Sequence, residues 1–166
     1  MDRATALAAA RAPASLDEFR TSPLEPADGA IRCGIACACG GPEGEIISEF
    51  GPEEDFWADP LVFECCQCGR SATFFDSSRH GYDPVLNAFS ATIQRTRDER
   101  VPCKECNGRR HSLVGAYRFE FEDEEIDEEW SEAQRSQMPD LFSSVSFSLT
   151  CAGCGVVQRL ADFECA

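Results

Sequence analysis

Four cysteine pairs, each followed within a few residues by glycine, constrain this chain more than any other feature. They are Cys37-x-Cys39-Gly40-Gly41, Cys65-x2-Cys68-Gly69, Cys103-x2-Cys106 with Gly108 nearby, and Cys151-x2-Cys154-Gly155. Two thiolates about three residues apart can approach one ion from a tight turn, and two such turns supply the four sulfurs of a closed tetrahedral site. The first two pairs and the last two pairs therefore predict one four-cysteine centre each, formed by Cys37, Cys39, Cys65 and Cys68 and by Cys103, Cys106, Cys151 and Cys154. Cys33 and Cys66 compete as ligands in the first centre, and Cys165 has no evident role.

With 11 cysteines in 166 residues, the compartment decides between thiolate and disulfide. The start, Met1-Asp2-Arg3-Ala4-Thr5-Ala6-Leu7, lacks the apolar core of a signal peptide, and no stretch of 18 apolar residues spans a membrane. The expectation is a cytoplasmic protein holding two structural zinc ions. Zinc is also needed energetically, because a module of about 50–60 residues is marginal on its own core.

The two halves repeat each other. An acid follows the second cysteine pair at the same distance in both, Asp76 after Cys68 and Asp162 after Cys154, which points to a duplicated unit. Alternation at Leu113, Gly115, Tyr117, Phe119 and Phe121, and at Val145, Phe147 and Leu149, predicts antiparallel strands with one buried face. Glu45–Phe50, Leu61–Glu64 and Ala72–Phe75 read as strands in the first half. Between the halves, Asp83 and Pro84 suit the N-cap and first turn of a helix that places Val85, Leu86, Phe89, Ile93 and Thr96 on one face. The expected architecture is α+β and β-rich. It has a disordered N-terminal arm (1–29), a first ribbon (30–82), an amphipathic linker helix (83–100) and a second ribbon (101–166) with an acidic insertion at 120–132.

On these cysteines and on Gly40, Gly69 and Gly155, the chain resembles the zinc-ribbon class over Ile31–Asp76 and Val101–Phe163. The run from Phe74 to Asp83 is similar to a stretch in small uncharacterised bacterial zinc-ribbon proteins. The resemblance implies two short antiparallel sheets with structural zinc and is nearly silent on function. The first cysteine group is also similar, over about thirty residues, to the zinc centre of the redox-regulated heat-shock chaperone, which implies a thiol-redox sensor as one alternative.

Charge points toward a partner. The formal charge is −15, with 30 acidic residues against 15 basic, so a phosphate backbone is repelled. A nucleic-acid or transcription- or translation-associated ribbon would need a basic stripe, and only Lys104, Arg109, Arg110 and Arg118 offer one. Nine of the thirteen residues from Glu120 to Glu132 are acidic, and Ile126 and Trp130 interrupt them. Such a run is commonly a solvated face. As a docking surface it would present Glu122, Asp123, Glu124, Glu125, Asp127, Glu128, Glu129 and Trp130, and Glu53, Glu54, Asp55 and Trp57 repeat the mixture. The expected role is an acidic inhibitor, immunity or adaptor protein that binds a basic protein, such as a toxin, nuclease or other enzyme, with no membrane partner. His80 reads as a loop residue packing the first ribbon onto the helix, with a general base or metal ligand as the alternative. His111 reads as part of a solvated basic cluster with Lys104, Arg109 and Arg110. No phosphate loop, H-E-x-x-H or deaminase pattern is present, so no enzyme is expected.

Overall fold

A computed structural model describes residues 13–48, 52–53, 56–57, 59–81, 99–119 and 137–165. The described elements are eleven strands and two single-turn 3-10 helices, Ala14–Leu16 and Met138–Asp140. The strands are β1 Phe19–Ala27, β2 Ala30–Cys37, β3 Gly44–Ser48, β4 Pro52–Glu53, β5 Phe56–Trp57, β6 Leu61–Cys65, β7 Ser71–Phe75, β8 Glu99–Arg100, β9 His111–Arg118, β10 Ser144–Cys151 and β11 Val157–Glu164. Strands β4 and β5 form a separate small hairpin, and the other nine make one antiparallel sheet.

Each half contributes the same three strands. In the first, β3 pairs with β6 and β6 with β7; in the second, β9 pairs with β10 and β10 with β11. The registers match residue for residue. Gly44 faces Cys65 as His111 faces Cys151, and Ile46 faces Phe63 as Leu113 faces Leu149. Even the irregularity is repeated. Leu61 faces Phe75 but Val62 faces Thr73, and likewise Phe147 faces Ala161 but Ser148 faces Arg159. The extra residues, Phe74 and Leu160, form β-bulges, which turn two successive side chains inward, and Phe74–Phe75 and Leu160–Ala161 are all fully buried.

The halves are not separate ribbons. The strand that leads into each half pairs with the other half: β2 lies along β9, and β8 along β3. These exchanges also correspond, since Ile47 facing Arg100 and Ser48 facing Glu99 match Val114 facing Gly34 and Gly115 facing Cys33. Strands β3 and β9 meet at Gly44 and His111, which are equivalent positions, so the pairing has an approximate two-fold relation.

This corrects the expectation of two ribbons joined by a helix behind a disordered arm. A single sheet runs through both halves, and Glu99 and Arg100, expected at the end of the helix, are strand β8. The remainder of that helix, 83–98, lies outside the described residues. The expected arm contributes β1, paired with β2 from Phe19 facing Cys37 to Ala27 facing Ala30. Its prolines, Pro23 and Pro26, are accommodated because β1 is an edge strand, where a missing N–H need not break a ladder.

The sheet curls so that β7 packs against β10 and β11. Phe75 stacks on Phe163 with ring centroids 4.4 Å apart and lies 5.6 Å from Phe147, while Phe74 meets Phe147 edge-on at 5.0 Å. Tyr117 and Phe142 continue this aromatic core, edge to face at 5.2 Å. Leu16, from the first 3-10 turn, is also buried in it. Side chains from both halves fill one core, and burial of each large one stabilises by about 1.5–3 kcal/mol.

Candidate metal centres

Each cysteine pair sits in a turn that closes by the same two backbone bonds. In the second turn, Cys65 N–H donates to the Arg70 carbonyl and Gly69 N–H to the Cys65 carbonyl. Cys103 and Asn107, and Cys151 and Gly155, repeat this pattern with the carbonyls of Gly108 and Val156. The first turn is shorter by one residue throughout. Cys37 N–H reaches the Gly41 carbonyl and Gly40 N–H the Cys37 carbonyl. This is why a single residue between Cys37 and Cys39 suffices where the other turns use two.

The residue after the second cysteine takes a left-handed conformation in all four turns: Gly40 (φ 93°), Gly69 (72°), Asn107 (60°) and Gly155 (75°). In the third turn Asn107, not the neighbouring Gly108, takes this conformation, since asparagine enters the left-handed region more readily than most side chains. Gly108 serves close approach instead, because a Cβ there would lie 3.2 Å from Cys106 Sγ and 3.4 Å from Cys151 Sγ.

These turns bring the eight sulfurs into two groups, Cys37, Cys39, Cys65 and Cys68, and Cys103, Cys106, Cys151 and Cys154. Within each group all ligand atoms lie within 4.8 Å of one another. The closest pairs are Cys37–Cys68 at 3.6 Å, Cys39–Cys65 at 3.7 Å, Cys103–Cys154 at 3.6 Å and Cys106–Cys151 at 3.5 Å. A tetrahedral ion with metal–sulfur bonds of about 2.3 Å separates its sulfurs by about 3.8 Å, so both groups fit a four-thiolate site. None of the eight is in a disulfide. In each centre two ligands are buried and two exposed, in the same alternation along the chain.

Backbone donors tune the sulfurs. The N–H groups of Gly41, Gln67 and Gly153 point at Cys39, Cys65 and Cys151 at 3.3, 3.4 and 3.4 Å. The N–H groups of Cys154 and Gly153, helped by the Cys106 and Cys103 thiols, lower the Cys151 thiol to about 6. Burial opposes ionisation of Cys65, but the N–H groups of Cys68 and Gln67 and the neighbouring thiols outweigh it and lower that thiol to about 7. At Cys37 the Cys39 N–H favours the thiolate, yet burial and three adjacent thiols push it up to about 12. Cys154 also reaches about 12, where burial and three thiols override the Val156 N–H. A divalent cation bound at either centre would displace the thiol protons that remain.

Cys33 and Cys66 stand outside both groups. Cys33 lies on β2, and burial pushes its thiol up to about 11 despite the Gly115 N–H. Cys66 is exposed, and Cys165 is buried at the end of β11. His111 departs from the expected solvated cluster: it is fully buried, its Nε2 3.1 Å from the Val101 carbonyl. Gln158 escaped sequence reasoning. Its amide holds the third turn from both sides, accepting from Lys104 N–H and donating to the Pro102 carbonyl. The available signal was a polar residue at an inward position of an alternating strand.

Glu53 and Trp57 fall in the β4–β5 hairpin. Glu54, Asp55, Glu122, Asp123, Glu124, Glu125, Asp127, Glu128, Glu129 and Trp130 lie outside the described residues. By chain position, however, the two acidic stretches correspond. One joins β3 to β6 and the other joins β9 to β10, the matching connection in each half. The metal turns are at the opposite ends of those strand pairs, where Gly44 faces Cys65 and His111 faces Cys151.

In comparisons with protein-family models, with curated proteins and with solved structures, nothing matches this chain. Among the described residues, no helix is long and apolar enough to cross a membrane. Two tetracysteine sites suited to structural metal ions are therefore the functional feature that the geometry defines.

Proposed function

We propose that this is a non-enzymatic, zinc-stabilised interaction protein of zinc-ribbon type, acting in the cytoplasm by binding a basic protein as an inhibitor, immunity or adaptor factor. Zinc is favoured because four thiolates in tetrahedral spacing suit it and leave no open coordination position for hydrolysis. The partner reading is carried by one observation: the acidic-aromatic stretches occupy the same connection of the chain in both halves, between β3 and β6 and between β9 and β10. A surface of that composition complements a basic cleft and speeds encounter with it.

The test is affinity purification from the host under reducing conditions, read by native mass spectrometry. The expected complex contains two zinc ions per chain and a stoichiometric basic protein that dissociates as salt is raised. Reversal of Glu124, Glu125, Glu128 and Glu129 to lysine should abolish it while leaving both zinc ions bound. A complex that survives the reversal sinks the docking role.

A further inference from the structure

We infer that the two metal centres load cooperatively, as one two-metal unit rather than two independent sites. The inference rests on the metal reading above but not on the identity of any partner.

The first turn of each centre hangs between a strand of its own half and a strand held by the other. Cys37 ends β2, which is paired along β9, and β9 starts at His111, beside Cys151 of the second centre. Cys103 follows β8, which is paired along β3, and β3 starts at Gly44, beside Cys65 of the first centre. Val101 N–H, two residues before Cys103, donates to the Ile46 carbonyl of the first half. Arg100 strengthens the same crossing, its guanidinium bridging Glu45 on β3 and Glu64 on β6. Glu64 immediately precedes the ligand Cys65. The first pair of thiols in each centre is thus placed through a strand of the half opposite.

Binding at either centre must fix the strand, β9 or β3, along which the strand leading to the other centre's first turn is paired. That ordering cost is met once, by whichever ion arrives first, so the second binds more tightly. The shared aromatic core adds to the effect, because Phe74 and Phe75 cannot pack without Phe147 and Phe163. The relation is reciprocal by linkage, since each ion must tighten the other's site by the same factor.

The experiment is a zinc titration of the metal-stripped, reduced full-length protein, followed by native mass spectrometry. Two equal independent sites put half of the molecules in the one-metal form at the midpoint, whereas hundredfold coupling keeps that form to about a tenth. A one-metal form held to about a tenth or less at the midpoint is the expected result. Accumulation of the one-metal form to half or more overturns the coupling while leaving the two sites in place. Failure to bind any metal at saturation overturns the coupling and the metal reading together.

A second measurement uses Cys103→Ser with Cys106→Ser and reads the intact first centre by competition with a chromogenic chelator. Its zinc affinity should fall at least tenfold, including to undetectable; an unchanged affinity overturns the proposal.

Discussion

The two halves of the molecule share a register, a bulge and a pair of cysteine turns, yet they differ where they meet. At the crossing point the first half has Gly44 and the second His111. The reason lies across the ladder. A Cβ at Gly44 would come 2.5 Å from Phe63 Cζ, so the ring leaves no room for a side chain. The counterpart of Phe63 is Leu149, a smaller residue, and there the histidine fits. One large and one absent side chain in the first half are exchanged for two of middling size in the second, as close packing of a duplicated core requires. At the bulges the halves differ without such an exchange, since Phe74–Phe75 correspond to the smaller Leu160–Ala161. What stayed equal is what the metal turns and strand pairing require; what diverged is how each half closes over the common core.

The comparison breaks most completely if the halves prove separable. Removing metal with a strong chelator should unfold both in a single transition, because structural zinc contributes roughly 10–16 kcal/mol in small domains and neither half owns a complete sheet. Far- and near-ultraviolet circular dichroism, recorded together, would reveal any half that persists. Two resolved transitions would restore the picture of independent ribbons.

How far the sequence announces this arrangement depends on the range of the signal. The cysteine pairs, their left-handed turns and the repeated acid at Asp76 and Asp162 are local patterns, and alternation at Leu113, Gly115 and Tyr117 marks β9 directly. The exchange of β2 and β8 between halves is a choice of pairing partner among strands that look alike, and no local period encodes it. Strand β1 is hidden by Pro23 and Pro26, which read as a flexible arm until the edge position makes them tolerable. Asn107 is obscured by the adjacent Gly108, since glycine is the commoner answer to a left-handed turn. The partner surface shows in the sequence as composition and chain position, which state a charge but not a shape.

Next in size is the aromatic contact between halves. Phe75→Ala removes a fully buried ring that touches Phe147 and Phe163 of the second half. It should cost about 3–5 kcal/mol in chemical denaturation of the metal-loaded protein. The loss should appear as a lower midpoint of one transition with both metals still bound at its start. A variant that loses only the first-half signal would show that the core is divided.

The Gly44–His111 contrast yields a smaller and more specific effect. Gly44→Ala forces its Cβ against the Phe63 ring and the Glu64 carbonyl, an overpacking expected to cost about 1–3 kcal/mol. Phe63→Leu, which copies the second half, should be less harmful in the Gly44→Ala background than in the native one. Denaturation of the two single variants and the double variant measures that coupling energy. Strict additivity would mean that ring size does not explain the glycine.

The smallest effect separates the ends of the third strands. Strand β11 continues through Glu164, while β7 stops at Phe75 and the chain turns from Asp76 to Gly81. His80 closes that turn: its Nδ1 accepts the Asp76 N–H at 3.0 Å, and its ring lies against Phe75. Accepting there requires a neutral imidazole, and burial lowers the His80 pKa, with the carboxylate of Asp76 working partly against it. Below about 6.5 the unfolded chain takes up a proton that the folded turn refuses. The stability contributed by His80 is therefore present above that pH and is lost as pH falls toward the lowered folded value. His111 is lowered in the same direction by burial, with the Val101 carbonyl opposing, and acid also weakens thiolate–metal binding, so wild-type stability alone cannot isolate the turn. The difference between wild type and His80→Gln can. Wild type should be the more stable at neutral pH, and the gap should narrow as pH drops. A gap that stays constant from neutral to mildly acidic pH would show that the imidazole is not held neutral in the turn.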